Sequence, residues 1–227
     1  MKGKRWRYSA FIFSIFGSIQ FIVITIIAMI FYTGGTYLDP STTHYIFWYN
    51  YFSDLGRVIS HSGLSNQISF ILFSITLSLW GISQTVFYIA FPFFFKNNQT
   101  PRLLSIIASF FGIFSGVFFV GIAFTPTDIV QLLHDFFVFL GFASVFFSIC
   151  FYSITLFIER SYPNSYAFVL IIASTILGIY YIILFVIPNT GTLIELFIYV
   201  IGQKIIIYVL LTAGIIQGFG ALKQINS

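Results

Sequence analysis

A chain of 227 residues that is 59% hydrophobic, 22% aromatic and only 7% charged cannot hide its Phe and Ile inside a water-soluble fold, and its mean hydropathy of +0.99 agrees. Ten Lys/Arg against six Asp/Glu give a formal charge of +4, but Lys2, Lys4, Arg5 and Arg7 crowd the first seven residues, a membrane-orientation signal rather than a nucleic-acid surface. The single cysteine, Cys150, lies in an apolar run and excludes a disulfide framework and a cysteine-based metal site.

Six stretches reach the roughly 20 apolar residues that cross a hydrocarbon core: 8–31, 67–95, 103–124, 136–158, 166–187 and 193–219. The expected fold class is an all-α integral membrane protein: one domain, residues 1–227, folded as a six-transmembrane-helix bundle in the cell membrane. The first stretch follows cations as a signal peptide would, but its apolar run outlasts a roughly 7 to 15 residue h-region and lacks a small-residue cleavage site. It is therefore read as a helix of the mature protein.

Orientation follows from the Lys/Arg bias. With the N-terminus cytoplasmic, Lys2, Lys4, Arg5, Arg7, Lys96, Arg102, Arg160 and Lys223 share the inner side, and the even helix count returns the C-terminus there. Arg57 then lies outside, together with Asp39, Asp54, Asp128, Asp135, Glu195, His44, His61 and His134. The inner loops are short and turn-like, with Asn97, Asn98, Pro101, Pro163 and Asn164. The first extracytoplasmic loop, 32–66, is too long and aromatic for a bare connector. Its HYIFWYNYF run suits the headgroup zone, so an interfacial or partly re-entrant segment capping the bundle is expected.

Polar residues near the bilayer are the site candidates. Lys204 falls about 16 Å along the last stretch, where a cation costs on the order of 3 kcal/mol, so it is expected to point inward and meet Asp54, Asp128 or Asp135. Gln203, Tyr208 and Thr212 extend a polar stripe beside it. In FTPTDIVQLLHDF, Asp128 reads as a cap for the free N–H groups of a short helix. Helical spacing puts Gln131 and Asp135 on its face and turns His134 away. Ser53-Asp54 with His61 echoes Thr127-Asp128 with His134, a short pattern that also occurs by chance. For a metal, the ligand candidates are His61, His134, Asp54 and Asp128, with zinc as the ion; no HExxH, GxSxG or P-loop is present, and no other cofactor is expected. Gly112/Gly116 and Gly214/Gly218 form GxxxG faces for close helix approach, within the chain or to a second copy as a homo-oligomer. The expected partners are membrane lipids and not nucleic acid.

The segments YFSDLGR, SGLSN, FTPTD and LLHDF together resemble an uncharacterised prokaryotic multi-pass membrane family, domain of unknown function 998. The resemblance points to Ser53, Asp54, Leu55, Gly56, Pro126, Asp128 and His134; the chain departs from it in having Thr125 before Pro126 where the family has Phe. A fainter similarity runs to eukaryotic six-helix families linked to autophagy modulation and lipid-anchor remodelling. None of these implies a known reaction. Three functions stay open. The first is a non-enzymatic outer-side pocket built from Ser53, Asp54, Arg57, Asp128, His134, Asp135 and Lys204, with the aromatic loop as lid, holding a lipid headgroup or small polar solute. The second is a membrane-embedded lipid hydrolase like the alkaline ceramidases, in which His61 or His134 holds a metal or acts as base and an Asp orients it. The third is proton-coupled transport through Lys204 and an acid.

Overall fold

A computed structural model describes residues 2–159, 161–187 and 190–226; Arg160, counted above among the inner cations, lies outside the described residues. Six helices carry the chain: α1 (Lys2–Ile30), α2 (Gln67–Ala90), α3 (Gln99–Ala123), α4 (Thr127–Ile158), α5 (Asn164–Val186) and α6 (Leu193–Asn226). All six are long and apolar enough to cross a membrane, and the described residues contain no strand beyond one isolated bridge between Ile59 and Ser65. The protein is an all-helical bundle of the transmembrane kind.

Helix ends follow from residues that cannot continue a backbone ladder. Pro92 has no N–H to give, and α2 passes there into a tighter 3-10 turn, Phe91–Phe95. Pro126 and Pro163 stand immediately before α4 and α5, where an extended residue feeds the first helical turn. Several helices outrun their hydropathy signal, most of all α1, which begins at Lys2, α4, which begins at Thr127, and α6, which ends at Asn226. Apolarity marks the part of a helix that meets lipid, whereas backbone hydrogen bonding goes on into polar flanks.

Each helix packs chiefly on its neighbours in sequence, and α6 closes on α1, so the bundle is a ring. Small residues set its tightest seams. A Cβ on Gly116 would lie 2.6 Å from the Gly81 carbonyl oxygen, and one on Gly112 would strike the Tyr88 ring, so this GxxxG face is taken up between α3 and α2. On α6, a Cβ at Gly218 would come within 2.5 Å of Ile15, and Gly214 faces Ser18 and Gln84; the second GxxxG face is thus occupied by α1 and α2. Both faces serve packing within one chain. Side-chain staples reinforce them: Gln20 donates to the Thr76 carbonyl (3.0 Å) and accepts from the Thr76 hydroxyl (2.7 Å), tying α1 to α2. Towards the end of the bundle where α1 begins, Phe11, Phe87, Phe91, Phe95, Tyr152 and Tyr162 form an aromatic core of mostly edge-on and tilted rings, with Phe91 4.7 Å from Phe87 and 4.9 Å from Tyr152.

The long loop between α1 and α2 folds back into the opposite end. Phe52 packs on Phe21 of α1 (6.0 Å) and Tyr208 of α6 (5.7 Å), and its backbone N–H donates to Gln203 Oε1 (2.9 Å). Phe21 lies nine residues before the end of α1, so the loop descends about 13 Å into the bundle. The loop is therefore folded in among the helices, with Leu55 fully buried in a 3-10 turn at Ser53–Gly56. Gly56 allows that depth: a Cβ there would stand 2.7 Å from the Phe73 ring of α2. Gly35, at φ +79°, lets the hairpin around His61 lie directly on the first turn of the loop, against backbone that a side chain would strike.

Candidate functional site

Where the loop meets α4, α5 and α6, a cavity of about 700 Å³ opens. Its upper wall carries Ser53, Asp54, Arg57, His61, Thr127, Gln131 and Asp135; its floor is Val138, Phe142, Leu177 and Ile206. Floor residues sit deep: Phe142 is 15 residues into α4 and Ile206 13 into α6, about 20 Å along each helix. Tyr51, Tyr180, Tyr181 and Tyr199 line the zone between. Burial, with the Asp54 charge adding to it, pushes the Tyr51 phenol well above its ordinary pKa, so that group faces the cavity as a neutral hydroxyl. Polarity thus falls from mouth to floor.

Asn50 organises the mouth. It is fully buried, accepts from the Ile46 N–H (2.9 Å) and donates to the Gly35 carbonyl (2.8 Å) and to Asp54 Oδ2 (3.0 Å). The same carboxylate oxygen accepts from the Tyr51 N–H (2.9 Å). Held by these two donors, Asp54 turns Oδ1 towards His61 Nε2 at 3.1 Å. A carboxylate oxygen accepts, so Nε2 donates here and Nδ1 is the ring nitrogen left to other partners. That Nδ1 has no partner among the described residues, and the ring lies edge-on to Tyr37.

Asp128 acts differently from a helix cap. Its two oxygens accept from the backbone N–H groups of Val58 (3.1 Å) and Ile59 (2.8 Å) in the first loop, and Arg57 Nη1 donates to Thr127 Oγ1 (3.3 Å). The α4 terminus makes no side-chain cap, because the carboxylate is engaged by the two loop donors instead. The helix also breaks step at Val130, where φ is −134° and ψ 54°. This kink separates Asp128 from the face that Gln131 and Asp135 share, and it turns His134 inward to the cavity rather than away. There His134 is 4% exposed and donates from Nδ1 to the Thr125 carbonyl (2.7 Å).

Lys204 lies apart from this cavity. Only 2% exposed, it donates from Nζ to the Asn50 carbonyl and sits among the rings of Tyr45, Phe47 and Phe52, its nitrogen 5.4, 4.9 and 5.5 Å from their centroids. Among the described residues it forms no contact ion pair; a carbonyl and three aromatic faces surround the nitrogen, and of the acids expected to meet it the Asp54 charge acts on it from beyond contact. The structure therefore brings Ser53, Asp54, Arg57, His61, His134 and Asp135 to one cavity, assigns Asp128 to docking the loop, and places Lys204 beneath it. Of the zinc candidates, Asp128 accepts from two backbone N–H groups and His134 Nδ1 donates to the Thr125 carbonyl, and no group of three His, Cys, Asp or Glu gathers among the described residues. The two Asp-His echoes differ as well: Asp54 bonds His61, whereas Asp128 and His134 each bond backbone. Asn50 escaped the sequence reading, although an Asn inside an aromatic run was its signal. Tyr180 and Tyr181 of α5 and Tyr199 of α6 gave no signal distinct from their apolar surroundings. No family model, no curated protein and no solved structure matches the chain.

Proposed function

We propose that this protein binds one amphiphile in the cavity under its first loop, the polar group between Arg57 and Asp135 and the alkyl chain on the floor formed by Val138, Phe142, Leu177 and Ile206. One observation carries the reading: a single cavity that is charged at its mouth, at Asp135, and apolar about 10 Å further along α4, at Phe142, inside a bundle of membrane-spanning length. A small polar solute would leave that floor bare, so a lipid is favoured over a solute. At roughly 30 Å³ per water-sized group, 700 Å³ takes about two dozen such groups, enough for one chain with a compact headgroup and too few for two chains.

In this reading the mouth faces the extracytoplasmic side of the cell membrane, both termini are cytoplasmic, and the aromatic loop is a docked cap. The Lys/Arg distribution supports that orientation. The SDLG segment and the Pro126-to-His134 stretch, which carry the resemblance to domain of unknown function 998, line or clamp the same mouth.

Native mass spectrometry of the detergent-purified protein tests the binding. Wild type is expected to retain one lipid per chain, and Val138→Trp, which fills the floor, to lose it while keeping its melting temperature. Retention by both variants, or by neither, would remove the cavity as the binding site.

A further inference from the structure

We propose that the mouth of this cavity is a hydrolytic site, in which His61, oriented by Asp54, is the general base that cleaves the carboxylic ester of a single-chain phospholipid. The proposal rests on the amphiphile-binding reading above and names its substrate class and reaction. Three observations carry it. Asp54 is 4% exposed and is fixed by Asn50 and Tyr51 before it reaches His61, so the imidazole is held in one tautomer by a partner that cannot itself turn. The free nitrogen, Nδ1, belongs to a residue of the cavity wall and has no partner among the described residues. Below that wall lies an apolar floor for an acyl chain, and beside it stands Arg57, whose Nε and Nη1 are engaged by Ile59 and Thr127 while Nη2 has no partner among the described residues. A guanidinium with a free edge at the mouth suits a phosphate.

The step is a hydrolysis with water as nucleophile. His61 Nδ1 takes a proton from water as its oxygen bonds to the ester carbonyl carbon, and the carbonyl electron pair moves to oxygen. The Gln131 side-chain amide, on the same wall, is a donor for that oxyanion. When the pair returns, the bond to the glyceryl oxygen breaks, and the leaving oxygen takes the proton back from Nδ1. The products are a free fatty acid and a glycerophosphodiester, and His61 is neutral again. His61 is the catalytic residue here; Asp54 is a positioning residue.

The test incubates purified full-length protein with palmitoyl lysophospholipids bearing choline, ethanolamine and glycerol headgroups, reading palmitate release and, by native mass spectrometry, bound lysolipid. Wild type is expected to release palmitate, and His61→Gln to lose at least about 100-fold in rate while still binding lysolipid. Asp54→Asn should lower kcat with KM and bound lipid unchanged, a split that a merely structural role would not give. Bound lysolipid without release by wild type overturns the catalytic proposal and leaves the binding reading standing. Release undiminished in His61→Gln overturns the assignment of the base. Neither binding nor release overturns both readings together.

Discussion

Two charged side chains do mechanical work at the residue scale, and each makes a separable prediction. Asp128 is half-buried and holds two loop N–H groups, which a truncated side chain would leave to find water. Because Ile59 is itself exposed, Asp128→Ala is expected to cost about 1–2 kcal/mol, below the upper range for charge-assisted bonds. Thermal unfolding measures that loss, and amide exchange at Val58 and Ile59 should quicken with it. Lys204 behaves otherwise, because its acceptor is not left alone when it goes: the Asn50 carbonyl also accepts from the Tyr45 hydroxyl (3.0 Å). Lys204→Met should therefore stay within about 1 kcal/mol of wild type, while Lys204→Glu, which sets a carboxylate against a carbonyl and three ring faces, should cost at least about 3 kcal/mol. Equal losses in both variants would show that the ammonium charge is indispensable there. That Lys204 needed burial with a partner was legible from its place in an apolar stretch. The partner was not legible, because Asn50 offers a main-chain oxygen from 154 residues away, and any residue type carries one.

Helices obey simpler rules, and they were the most readable level. Six apolar runs gave six helices because lipid demands length and internal backbone pairing together. What hydropathy could not register was the start of α4 at Thr127, a polar turn, or its kink at Val130. Since the kink decides whether His134 faces the cavity, an ideal 3.6-residue wheel misassigned that side chain. The glycine pairs were legible as close-approach faces, but not as to which neighbour they meet. Their geometry now separates two classes of glycine. Gly116→Ala drives a methyl group into the Gly81 carbonyl and into Thr85, whose hydroxyl is itself tied to that carbonyl at 2.9 Å, so neither can step aside. A loss of about 1–3 kcal/mol is expected. Gly178→Ala meets only Phe146 at 3.5 Å, ordinary contact, and should leave stability unchanged or raise it by up to about 1 kcal/mol. Melting temperatures of the two variants, side by side, decide the point.

At the scale of the whole molecule, a ring of helices with a folded-back loop at one end has two unlike faces. His44 is exposed on the loop and Asn97 is exposed at the far end, between α2 and α3. In a Cys150→Ser background, a membrane-impermeant maleimide applied to intact cells should label His44→Cys and spare Asn97→Cys until the membrane is permeabilised. The reverse pattern would invert the orientation inferred from the Lys/Arg bias and place the cavity on the inner side. The distribution of ten cations supplies this expectation from sequence, whereas the cavity itself was not legible there, since it is bounded by segments from residues 37 to 206 that no local pattern connects.

The seat of Lys204 also dictates an order of assembly. During synthesis α1 and the loop that follows it leave the ribosome first, and the helix bearing Lys204 leaves last. Until that helix arrives, the Asn50 carbonyl and the three rings have no cation to close upon, and the loop waits at the surface with its aromatic residues uncovered. The first segment made is thus the last to reach its final place, and a nascent chain halted after α5 should still expose that loop to a protease.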